Sequence, residues 1–181
     1  IPPITGGDRM IWKLLGAIFI LCSSVVAGRL STVDLIRRPQ QLASLQRGIL
    51  ALETEIGYGA TPLPQAFQQA AGQAGDLQSV FTGTAQKLQA GIGFTAGEAW
   101  QKSLQEKKNT LSLKKDDIQI ASLMGENLGL SDGEDQLKRL TLLRVRLQAQ
   151  EEIAQKEKEK LAKVRQSLSI ALGFVLILIL F

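Results

Sequence analysis

Histidine is absent from the 181 residues. With it go the commonest general base, the side chain that titrates near neutrality and the favoured zinc ligand. The single cysteine, Cys22, cannot close an internal disulfide, and it lies in an apolar run where a thiol stays protonated and inert. Aromatic residues make up 5% of the chain, and the 21 lysines and arginines are interleaved with 17 acids for a net charge of +4. A nucleic-acid surface needs a denser basic face with stacking rings, so no nucleic-acid partner is expected. Alternating strand patterns of useful length are also missing, which points to an all-α protein.

What is present is hydrophobic: 45% of residues, enough for one buried core with appendages. Two apolar runs stand near the ends. IWKLLGAIFILCSSVVA, residues 11–27, is broken only by Lys13, and LSIALGFVLILILF, residues 168–181, carries no charge. The first is at the lower limit for a spanning helix; the second extends about 21 Å against a hydrocarbon core of about 30 Å, and needs tilt or snorkelling neighbours such as Lys163 and Arg165. The expected organisation is therefore an extension at residues 1–9, a first transmembrane helix at 10–30, a helical bundle at 31–167 and a second transmembrane helix at 168–181. Arg29, Arg37 and Arg38 follow the first run, and Lys156, Lys158, Lys160, Lys163 and Arg165 precede the second. Positive charge on that side of both runs places the bundle in the cytoplasm. A competing reading takes Val25-Val26-Ala27 as a signal-peptide cleavage site, which would leave an exported, membrane-anchored sensor domain.

Between the runs the apolar residues recur at helical spacing. Leu42, Leu45, Ile49, Leu52 and Ile56 form one stripe, with Pro39 suited to the first turn. Thr61 and Pro62 are expected to open a second helix with Leu63, Phe67 and either Ala70 or Ala71 inward, and Asp76 to Gln89 a third through Leu77, Val80, Phe81, Ala85 and Leu88. Gly91 and Gly93 break that one. Thr95 and Glu98 form a capping box before Trp100 and Leu104, and Asp116 to Leu128 reads as a further helix stopped by Gly129. Ser131 and Glu134 form a second box. After it, Leu140, Leu147, Ala154, Leu161 and Leu168 fall seven apart, so the last helix is expected to be long, continuous and packed on a partner helix.

Chemistry is harder to find. Glu53 and Glu55 are the most tempting acid pair, yet they sit about 200° apart around a helix and flank the stripe on opposite sides. That arrangement suits surface carboxylates or a protein contact better than a carboxylate-based membrane hydrolase. Asp116 and Asp117 complement a helix dipole. GIGFTAG, residues 91–97, has the wrong spacing for a phosphate loop and no preceding strand, and GLSDGED, residues 129–135, lacks the ligand periodicity of a calcium loop. No catalytic, metal or cofactor residue is assigned, and no small-molecule substrate is expected. Tyr58, between two glycines, is the best single candidate for a contact outside its own helix.

The segment RRPQQLASLQRGILALETEIGYGATPLPQA, residues 37–66, resembles the stage III sporulation protein AB family of endospore-forming bacteria. The pattern is arginine-proline, a leucine repeat, then Glu53, Glu55, Ile56, Tyr58, Thr61, Pro62, Leu63 and Pro64. The likeness continues through Ala99-Trp100, Gly125, Leu128, Gly129, Asp132 and Gln136 to the apolar terminus, and so covers Met10 to Phe181. The resemblance implies a non-enzymatic component of the mother-cell channel apparatus serving the forespore during engulfment. It also implies a cytoplasmic domain similar to the F-type platform protein of type II secretion. Expected partners are other proteins of that sporulation complex, including a secretion-type ATPase (the AA protein), and membrane lipid. Glu53, Glu55 and Tyr58 match the family pattern and are the candidate partner interface; the family supplies no catalytic role for them.

Overall fold

The structure is a computed structural model and describes residues 33–59, 61–91, 93–126, 128–129 and 133–180. The chain divides into two compact units, residues 1–34 and 35–181. The expected first transmembrane helix at 10–30 and the Ser131 cap lie outside the described residues. Within them there are six α-helices and no strand: α1 Val33–Gly57, α2 Leu63–Ala71, α3 Gln78–Gln89, α4 Ala96–Lys107, α5 Lys115–Ser122 and α6 Gly133–Leu180.

The stripe of α1 does what its spacing demands. Leu42, Leu45, Ile49 and Leu52 are fully buried, each worth about 1.5–3 kcal/mol of transfer from water. Consecutive helices α2, α3 and α4 pack in turn, and α4 packs on a 3₁₀ turn at Leu123–Glu126. At their centre Phe67, Phe81 and Trp100 form an aromatic triangle with centroids 5.1–6.1 Å apart. The Trp100 Nε1–H donates to the carbonyl of Ala121 at 2.8 Å, so the indole is core with its polar edge satisfied. Helix α1 runs antiparallel to α6: Arg38 meets Glu157, Gln46 meets Glu151, Glu53 meets Arg144, and Leu137 lies against Gly57.

Several local expectations are corrected. Pro39 is inside α1, not in its first turn; side-chain bonds made by its neighbour Arg38, described below, hold that turn in place. Pro62, not Thr61, occupies the cap position of α2, and no side chain caps it; the Thr61 hydroxyl instead donates to Glu55 Oε2 at 2.8 Å. The third helix opens as a 3₁₀ turn at Gly75–Leu77, and its α-helical part starts at Gln78. The stretch 116–128 is not one helix, because α5 stops at Ser122 and tightens into the 3₁₀ turn. That turn brings Gly125 against Gly97 of α4, backbone on backbone, where a Cβ on either would collide.

The Thr95–Glu98 box is formed in full: the Thr95 hydroxyl accepts from the Glu98 N–H at 3.2 Å and the Glu98 carboxylate accepts from the Thr95 N–H at 2.8 Å. Gly91 and Gly93 take φ of +64° and +76°, ending α3 as expected. Helix α6 is continuous over 48 residues, about 72 Å. Its heptad is buried at Leu140, Leu147 and Ala154, half-buried at Leu161 and exposed at Leu168. The helix thus outgrows the bundle after two and a half heptads. Among the described residues no helix is long and apolar enough to cross a membrane.

Candidate functional site

The three residues singled out from the sequence are placed in three different situations. Glu53, 9% exposed, is turned toward α6, where its Oε1 accepts from Arg144 Nε at 3.0 Å and, at the long distance of 3.5 Å, from the Thr141 hydroxyl. Glu55 is half-buried on the other flank and braces the turn into α2. It accepts from Thr61, and the Gln69 amide, with its nitrogen toward the carboxylate, reaches Oε2 at 3.0 Å. Tyr58 stands just past the end of α1 and is 93% exposed. The two carboxylates diverge, as their angular separation requires, so the structure brings none of the three together around a common ligand. Tyr58 is open to a partner, Glu55 is partly open, and Glu53 is already engaged within the fold. Among the described residues no group of three or more His, Cys, Asp or Glu is placed to hold a metal.

A denser polar centre lies at the opposite end of α1. Arg38 and Asp117 are 3% and 0% exposed and meet fork to fork, Nε to Oδ2 at 2.7 Å and Nη2 to Oδ1 at 2.9 Å. Asp117 Oδ2 also accepts the Lys114 N–H at 2.9 Å, which starts α5. Arg38 Nη1 continues to Glu157 Oε2 at 2.7 Å, and Lys114 Nζ closes on both Glu157 oxygens at 2.8 Å. One guanidinium therefore joins α1, α5 and α6. The hydrogen bond to Asp117 is the main reason its pKa stands above the ordinary arginine value, so it stays charged despite burial. The Lys114 hydrogen bond is the main cause of a Glu157 pKa below the usual carboxylate value.

From the sequence Arg38 reads as charge beside a membrane run and Asp117 as a dipole partner, and nothing there joins the two. Arg38 directly before Pro39 becomes a signal only once the proline is placed inside α1, where a turn lacking one backbone bond needs other support. The centre is saturated: acids, bases and a backbone amide all have partners within the fold, so it holds helices together and does not present a reactive group.

A family profile described as stage III sporulation protein AB matches residues 13–181. A stage III sporulation protein AB of Bacillus subtilis (strain 168) is 37% identical over 169 residues, covering 93% of this chain and 98% of its own. A solved structure of a stage III sporulation protein AB superposes with a TM-score of 0.64 at 36% identity, covering 68% of this chain and 98% of that one.

Proposed function

The chain belongs to the stage III sporulation protein AB family, and from that premise we propose that it is a non-enzymatic membrane platform in the secretion-like channel apparatus between mother cell and forespore. In this reading both ends are held in the mother-cell membrane, and the bundle faces the cytoplasm and docks other proteins of the complex, among them a secretion-type ATPase. The observation that carries it is the continuity of α6, whose one helix is packed in the bundle at Leu140–Ala154 and emerges from it into the apolar run beyond Leu161. Such a helix transmits position stiffly from a docking body to whatever holds its far end. The saturated Arg38–Asp117 centre supports the same reading, because it fixes α6 to the body near the point of emergence.

The test is co-purification of the detergent-solubilised full chain from sporulating cells, with partners identified by mass. Recovery of the ATPase and other channel proteins is expected; recovery of neither sinks the platform. Orientation is read with Cys22 replaced by serine and a cysteine introduced at exposed Lys108. It should react with an impermeant maleimide only after the cells are opened, and labelling of intact cells would favour the exported sensor domain.

A further inference from the structure

The geometry points to a groove between the Leu123–Glu126 turn and the first third of α6 as the docking site for an acidic amphipathic helix of a partner protein. The groove holds about 220 Å³, with Met124, Leu128 and Leu143 among the apolar residues of its lining. Leu142 stands at its lip and is 62% exposed. Arg139 and Arg146 also line it, both on α6 and seven residues apart, which sets them two turns or about 10.5 Å along one side. Neither has an ion-pair partner among the described residues. The opposing charge on the lining is a single carboxylate, Glu126.

An apolar trough flanked by two free guanidiniums at a two-turn interval selects its occupant by charge and spacing. A helix laid beside α6 meets both arginines when it carries carboxylates at i and i+7, and it fills the trough with aliphatic side chains at i+3 and i+4. Arginine accepts such carboxylates in bidentate fashion, and the exposed Leu142 gives the contact an apolar centre within a polar rim. This deepens the docking role proposed above and rests on it, while naming a face distinct from that of Glu55 and Tyr58.

The probe is a fluorescent alanine-based peptide of about 16 residues with Glu at i and i+7 and Leu at i+3 and i+4. Its anisotropy is read against the full chain in detergent, beside analogues carrying Gln or Lys in place of the two Glu. Saturable binding of the Glu peptide is expected, about tenfold weaker for the Gln peptide. The R139E/R146E protein should lose the Glu peptide and gain the Lys peptide, a rescue that also shows the variant is folded. Leu142→Glu, at an exposed position, should weaken binding even if the double variant does not fold. The matched change K138E/K156E, on exposed α6 lysines, should leave binding intact.

Equal binding of the Glu and Gln peptides, no binding, or equal loss in the lysine control overturns the proposal. So does binding of phosphatidylglycerol vesicles that depends on the same arginines while the peptide fails, which would assign them to lipid. If partners still co-purify when the peptide fails, the groove is wrong and the platform stands.

Discussion

Helix α1 is tied to the rest of the bundle by an ion pair near each end, and the two differ in everything but charge. At Arg38–Asp117 the side chains are 4% and 0% exposed, the contact is two-pronged, and Lys114, Gln150 and Glu157 complete it. At Glu53–Arg144 the contact is single, and the side chains are 10% and 33% exposed. Water reaches the arginine at the second site and scarcely touches either side chain at the first. The same formal interaction is thus a fixed joint at one end and an adjustable one at the other, and the adjustable end is the one that carries Glu55 and Tyr58.

The widest gap between the two ends should come from single truncations of the buried pair. Arg38→Met or Asp117→Leu alone strands a buried charge and should cost about 3–5 kcal/mol in urea unfolding. The double variant should recover much of that loss, since apolar side chains can fill the site; a double variant as unstable as the singles would show that the pair itself, not its isolation, sets the stability. Next comes acid sensitivity at the same end. The Glu157 carboxylate is held below its ordinary value of 4.5 chiefly by Lys114. Its contribution is therefore complete above that ordinary value and is lost as pH falls through the lower folded one. Thermal melts stepped from pH 7 to pH 3 should fall less steeply in Glu157→Gln than in the parent, and parallel curves would remove Glu157 from the joint.

At the wetter end, Arg144→Met should cost about 1–3 kcal/mol by the same urea measurement, because Glu53 is left largely buried with only the long Thr141 contact. A loss as large as that of Arg38→Met would erase the distinction between the ends. Smallest is Tyr58→Ala, expected within about 0.5 kcal/mol of the parent, while recovery of co-purifying proteins falls. Unchanged recovery would take Tyr58 out of the docking face.

How far the sequence revealed all this depends on the range of each interaction. The α1 stripe, the Thr95–Glu98 box and the unbroken α6 were readable because their partners lie within one or two turns, where periodicity and capping rules apply. At Pro39 and Thr61 local preference favours a helix start and a cap; at Pro39 the contacts of Arg38 that outweigh it lie 79 and 119 positions away, and at Thr61 the competing acceptor is Glu55, six residues back across the turn. Arg38 and Asp117 are 79 positions apart, and no spacing rule in a single chain joins them. The opposite placement of Glu53 and Glu55 followed from helical angle alone, but the engagement of Glu53 by Arg144 did not. Gly97 closes the glycine-rich stretch 91–97, and the space it leaves is filled by another backbone.

That last contact gives the molecule a fulcrum. A methyl group added at Gly97 or Gly125 acts as a wedge between α4 and the turn beside it, and something must slide. On one arm of the lever sits Trp100, whose grip on Ala121 would loosen; on the other sits Met124, which lines the groove against α6. A change with no charge and no polar atom, made at Gly97 outside the lining of the groove, would thereby alter the shape offered to a visiting helix.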